Sequence, residues 1–236
     1  KKFEIKATIK FQFRQLSSFI HPEYESLPIN KHINRFQETE LSLDDYKILF
    51  EFIKSKDLLT CCTPFDEESV KIIKEMDFDV VKIASCCAKD WPLIEEVAKI
   101  NKPVIFSTGG LKINNIDDLV SFFDHKGVEY AIMHCVSIYP TPIDKLNLNF
   151  IETLKKRYPN KVVGWSTHEH PSNVDIVKIA YAKGARMFER HIGQETREYK
   201  LNTYSSNIKD FENWLNSYSE TVKICGSFDK TVIPTE

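Results

Sequence analysis

The chain has 236 residues, 42% of them hydrophobic and 28% charged, with a formal net charge of −2 from 32 basic and 34 acidic side chains. That is enough apolar material for a full core, which excludes a disordered chain or a small disulfide scaffold. The charge balance gives nucleic acid or an anionic membrane no electrostatic hold, and no run of about eighteen apolar residues exists to span a bilayer.

In chain order, KKFEIK comes first. It has no initiating Met and no apolar h-region, so it reads as a segment whose beginning lies upstream, not as a signal peptide. ATIKF (residues 7–11) is the first strand candidate, and residues 17–40 read as a long irregular loop over the mouth of the fold. Ser42 then opens a helix, with Asp45 placed to complete a capping box and Leu43, Tyr46, Leu49 and Phe50 forming the buried stripe. LLTCC (58–62) is the second strand, and Asp66 precedes a helix with acidic residues in its first turn.

VVKIAS (80–85), PVIFST (103–108), AIMHC (131–135), VVGWST (162–167) and MFERHI (187–192) complete seven strand candidates. Helical patterns cover 114–126, 149–157, 172–183 and 208–224, and Gly127 and Gly184 stand where a left-handed C-cap is needed. Continuous apolar strands alternating with helices mean parallel pairing with both faces covered. The chain has neither GxGxxG nor GxxxxGK[ST], which argues against a dinucleotide or P-loop fold. The expectation is therefore an α/β (β/α)8 TIM barrel, a single domain over residues 1–236, with its first strand and most of its first helix missing from this sequence.

Six cysteines with no framework spacing imply free thiols in a reducing, cytoplasmic setting. Cys61-Cys62 and Cys86-Cys87 are adjacent pairs, not CxxC, and are expected to pack near strand ends. In a barrel the chemistry sits at the C-terminal strand ends. There the chain presents Lys10 and Gln12, Thr63, Lys82 and Ser85, Ser107 and Thr108, His134, Ser137 and Tyr139, Ser166 and His168, and Glu189 and His191. Two lysines with several hydroxyls suit a small, highly anionic ligand such as a phosphorylated carboxylate. His168 and His191, on neighbouring strand ends, suit a divalent metal that polarises a carbonyl. His134 reads as a packing residue and His170 as a solvated one.

Seven motifs in order, KFQ (10–12), TPFD (63–66), KIAS (82–85), FSTGG (106–110), HCVSIYPTP (134–142), GWSTHE (164–169) and ERHIG (189–193), resemble the catalytic barrel of the sialic acid synthase (N-acetylneuraminate synthase) family. The resemblance implies condensation of phosphoenolpyruvate with an N-acetylmannosamine-like amino or N-acetyl sugar. Carbon–oxygen cleavage releases phosphate and leaves a nonulosonic acid. It implies that Lys82, Ser85 and Ser166 hold the phosphate, and that Lys10, Thr63 and Ser107 hold the carboxylate with Gln12 beside them. His168 and His191 would bind Mn²⁺ or Mg²⁺, and Glu189 and Tyr139 would line the sugar side. A homodimer is the family precedent.

The chain departs from the family pattern at four places. Ser137 stands for an Asn in the phosphoenolpyruvate set, Cys87 for a sugar-side Glu, and Thr167 for an Asp before His168. The family's first strand and its C-terminal antifreeze-like domain are also not seen. The implied branch is divergent. Two other readings use the same residues: a Schiff-base aldolase working through Lys82 or Lys10, and a non-catalytic barrel that binds a sugar acid or phosphate.

Overall fold

A computed structural model describes residues 3–25 and 31–229. By internal contacts the chain falls into two units, residues 4–131 and residues 132–236 together with 1–3.

In residues 4–131, β1 (Thr8–Phe13) is followed by the short helices α1 (Leu16–Phe19) and α2 (Pro22–Glu25), then α3 (Lys31–Glu38) and α4 (Leu43–Lys54). Next come β2 (Leu59–Pro64), α5 (Glu67–Glu75), β3 (Val80–Ile83), a 3-10 turn (Ser85–Cys87), α6 (Trp91–Lys99), β4 (Val104–Ser107) and α7 (Ile113–Lys126). β1, β2, β3 and β4 pair in parallel, each with the next. β5 (Tyr130–Cys135) carries the boundary between the units. After it, residues 132–236 hold a 3-10 turn (Ile143–Lys145), α8 (Asn149–Arg157), β6 (Val162–Thr167), α9 (Asp175–Ala182), β7 (Met187–Arg190) and α10 (Ile208–Cys225), with β6 and β7 parallel. The strands follow chain order, β1 to β7, in a seven-stranded sheet. Among the described residues this is the βα succession of a parallel barrel.

Local chemistry explains the element ends. The Ser42 hydroxyl accepts from the Asp45 N–H at 3.1 Å while the Asp45 carboxylate accepts from the Ser42 N–H at 3.2 Å, closing the capping box. Asp66 caps α5 by accepting from the Ser69 N–H at 2.7 Å, and its second oxygen accepts from the Gln15 N–H at 2.8 Å. That one carboxylate ties the end of β1 to the start of α5. Gly127 ends α7 at φ 66°, a left-handed cap that a side chain would strain.

Three readings shift. Residues 17–40 carry three short helices among the described residues, α1 to α3, where an irregular loop was expected. The strand expected over ATIKF starts at Thr8 and runs on to Phe13. α6 has no counterpart among the expected helices; Pro92 sits in its first turn, a position that tolerates proline, and Asp90 caps it by accepting from the Leu93 N–H at 3.3 Å.

The core of residues 4–131 is aromatic at one end, where Phe50 packs edge-on to Phe78 at 4.8 Å and Phe13 meets Tyr46 at 4.7 Å. In residues 132–236 the buried Trp165 lies 5.0 Å from His134, and Phe188 packs on Trp214 at 5.9 Å. No helix among the described residues is long and apolar enough to cross a membrane.

Candidate active site

Within residues 4–131 the strand registers gather the anion-binding candidates. β1 sets Lys10 beside Cys61 and Gln12 beside Thr63, β2 sets Cys61 beside Val80, and β3 sets Lys82 beside Ile105. Side chains alternate along a strand with period two. Lys10, Gln12, Thr63, Lys82 and Ser107 therefore share one face of these four strands. Thr63 and Lys82 are each 1% exposed, and Ser107 is buried too. Burying an ammonium at that depth is costly without counter-charge or hydrogen bonds. The Thr63 hydroxyl is buried with no hydrogen-bond partner among the described residues. Ser85 starts the 3-10 turn after β3, and its Oγ accepts from the Gly109 N–H at 3.0 Å, joining the ends of β3 and β4.

Arg14 was not foreseen. Its guanidinium donates to Gln12 Oε1 at 2.7 Å and lies over Phe65 at 4.0 Å and Phe36 at 4.4 Å. Burial draws its pKa down, opposed by Tyr46 and the nearby thiols and Asp66. It therefore orients Gln12 from the flank of β1. A cavity of about 770 Å³ opens beside β1, with Lys10, Gln12, Arg14, Glu40 and Tyr46 among its lining.

Within residues 132–236 the histidines and tyrosines form a ring cluster. His168 and His191 have centroids 5.5 Å apart, Tyr139 lies 4.3 Å from His168, and Tyr204 lies 5.3 Å from His191. The His168 Nδ1 is 3.0 Å from the Val136 carbonyl. A carbonyl oxygen only accepts, so Nδ1 carries a proton; in the neutral ring that leaves Nε2 with its lone pair, the tautomer a metal ligand needs. The Thr141 N–H donates to the His168 carbonyl at 2.9 Å and fixes its backbone. Among the described residues no group of three His, Cys, Asp or Glu side chains is placed to hold a metal.

Ser166 Oγ donates to Glu189 Oε1 at 2.9 Å across the β6–β7 pair, joining a phosphate candidate to a sugar-side candidate. Behind the histidines, Arg190 Nη1 meets Glu169 Oε1 at 2.8 Å, with side chains 1% and 0% exposed. Arg190 also donates to the Thr167 hydroxyl at 3.1 Å, the Glu169 carbonyl at 3.3 Å and the Ser206 hydroxyl. Burial holds the Glu169 carboxyl above the ordinary carboxylate range, with Arg190 opposing the rise in part. This pair locks the strand ends that deliver His168 and His191. The Ser206 N–H donates to the His191 carbonyl at 2.9 Å, and the same return segment carries Tyr204 to the rings.

Ser137 and Tyr139 are exposed on the segment after β5. His170 is exposed, with its Nδ1 2.8 Å from Ser172 Oγ. His134 is buried against Trp165, its Nε2 2.9 Å from the Leu146 carbonyl, as a packing histidine would be. Arg190 and Tyr204 were missed. Arg190 sits inside the quoted ERHIG motif, where a buried arginine implies a buried acid. Tyr204 lies in an irregular stretch with no periodic signal.

Comparison with known proteins extends this picture. The family model described as NeuB family matches residues 4–230. An uncharacterised protein of Methanocaldococcus jannaschii is 33% identical over 230 residues, 97% of this chain and 66% of that protein. N-acetylneuraminate-9-phosphate synthase of Drosophila melanogaster is 35% identical over 153 residues, 64% of this chain and 41% of that protein. A crystal structure of a Chromobacterium violaceum protein assigned to spore coat polysaccharide biosynthesis superposes with a TM-score of 0.95 at 39% identity, covering 99% of this chain and 70% of that one. The chain thus spans less than two thirds of the length of the curated relatives named here.

Proposed function

The chain belongs to the NeuB family, and from that premise we propose that it condenses phosphoenolpyruvate with an N-acetylmannosamine-like aldose to give a nonulosonic acid and inorganic phosphate. One observation carries the reading. The buried Thr63 hydroxyl has no partner among the described residues, and it shares a strand face with the buried Lys82 and with Lys10. That face offers two lysines and a buried hydroxyl to an anion that carries both a phosphate and a carboxylate.

In this reading Lys82, Ser85 and Ser166 take the phosphate, and Lys10, Thr63 and Ser107 take the carboxylate, with Ser137 as a short donor. Ser166 must release Glu189 Oε1 to donate to a phosphate oxygen. Gln12, held by Arg14, sits beside the carboxylate set. Glu189 and Tyr139 face the sugar. His168, with Nε2 free of its proton, and His191 would hold Mn²⁺ or Mg²⁺, which supplies polarisation of the sugar aldehyde. The enol carbon is a weak nucleophile, so the residues contribute mainly by fixing both partners in line and by meeting charge already in place.

Calorimetric titration with phosphoenolpyruvate tests the anion face. Lys82→Met keeps the stem and removes the charge, and binding is expected to weaken about 10- to 100-fold. Unchanged affinity in that variant would remove Lys82, and the reading built on it, from the site.

A further inference from the structure

Cys86 and Cys87 sit in the 3-10 turn that follows β3, with their sulfurs 3.8 Å apart. Cys86 is exposed and Cys87 is buried. The two thiols therefore differ in access while standing within reach of each other. We propose that they form a hydroperoxide-responsive dithiol, in which Cys86 is the oxidised sulfur and Cys87 resolves it to a reversible disulfide.

The surroundings separate the two roles. The hydrogen bond from Cys87 lowers the Cys86 pKa to about 6, against the effect of burial and with help from Arg14. The same bond, burial and Asp90 raise Cys87 and keep its proton in place. An accessible, low-pKa thiol beside a resolving cysteine is the arrangement of redox-responsive cysteines. Cys61 and Cys62 are adjacent too, yet both are buried, and burial pushes the Cys62 thiol well up.

The chemistry balances. The Cys86 thiolate attacks one peroxide oxygen, the O–O bond breaks, and hydroxide or an alkoxide leaves. Sulfur is oxidised by two electrons to a sulfenic acid as the peroxide is reduced. Cys87 sulfur then attacks Cys86 sulfur, the S–S bond forms, the S–O bond breaks, and water leaves with the Cys87 proton. Adjacent residues place their Cα atoms only about 3.8 Å apart, below the roughly 4.4–6.8 Å of an ordinary disulfide, so the bond is strained and readily reduced. Closure also pulls on the turn that begins at Ser85, whose Oγ holds the Gly109 N–H.

The test is peptide mass mapping of the full chain after hydrogen peroxide at pH 6, with and without dithiothreitol. The wild type should yield one peptide that has lost two hydrogens across Cys86 and Cys87, restored by dithiothreitol. It should form about tenfold faster than oxidation at the exposed Cys225. Cys87→Ser should stop at a Cys86 sulfenic acid captured by dimedone, and Cys86→Ser should give no product at Cys87. A wild-type chain that accumulates sulfenic acid without the disulfide, that pairs Cys86 with another cysteine, or that oxidises Cys86 no faster than Cys225 would overturn the proposal. Mapping the wild type decides the matter even if either variant fails to fold.

Discussion

Arg190 and Glu169 form a fully buried ion pair, 2.8 Å between Nη1 and Oε1, directly behind the two histidine-bearing strand ends. Removing one member strands the other charge, which costs about 3–5 kcal/mol, whereas replacing both with apolar side chains is often close to neutral. Arg190→Met is expected to lower the unfolding free energy by that amount, and Arg190→Met with Glu169→Leu to recover most of it. Urea denaturation of the two variants checks this. An Arg190→Met variant that loses under about 1 kcal/mol would show that the pair does not carry the strand ends.

Gly164 in β6 leaves no room for a side chain. An added Cβ would come within 2.3 Å of Met133 Sδ and 2.5 Å of the Met187 carbonyl oxygen. Met133 can shift, but the β7 backbone cannot without disturbing the β6–β7 pairing that aligns Ser166 with Glu189. Gly164→Ala should cost about 1–3 kcal/mol, the range for overpacking, and thermal denaturation would show it. An unchanged melting temperature would contradict that fit.

His134 gives a pH dependence with a definite sign. Burial holds its pKa below the ordinary 6.5, so the unfolded chain takes up the proton first as the solution is acidified. Its contribution to stability is complete above pH 6.5 and is lost as pH falls from there through the depressed folded value. The slope from one such group is at most about 1.4 kcal/mol per pH unit. Denaturant midpoints measured from pH 7.5 down to pH 5 should fall less steeply in His134→Gln than in the wild type. Equal slopes would remove His134 as their source.

The ring cluster predicts how Mn²⁺ binding divides. His168→Ala and His191→Ala should each weaken Mn²⁺ binding by more than about tenfold, while Tyr204→Phe leaves it nearly unchanged. Affinity should also fall with acidification, because imidazole must be neutral to ligate. Electron paramagnetic resonance of free Mn²⁺ during titration reads all three variants. Equal affinity in wild type and both histidine variants would dismiss the metal role of this pair.

The βα succession was legible because its signals are local. Apolar runs such as VVGWST, caps such as Ser42 and Asp66, and the glycine at 127 act within a few residues of themselves. The face shared by Lys10, Thr63, Lys82 and Ser107 follows from registers of strands already recognised. Contacts made by side chains far apart in sequence were not legible. Arg14 reaches Phe36 and Phe65, and Arg190 reaches Glu169 and Ser206, through geometry that no local pattern encodes. Residues 17–40 were misread for a related reason: α1 and α2 are only four residues each, too short to show a helical period.

The proposed chemistry is carbon–carbon bond formation between phosphoenolpyruvate and an aldose. The direct measurement is inorganic phosphate release from phosphoenolpyruvate by the full-length protein with Mn²⁺, across a panel of N-acetylated and plain aldoses, with the organic product identified by mass. Phosphate release is expected only when an aldose is present, in step with a product that has gained the three pyruvate carbons, and is expected to be lost with EDTA or in His191→Ala. Phosphate release without an aldose, or none with any aldose while borohydride traps a substrate on Lys82, would contradict it.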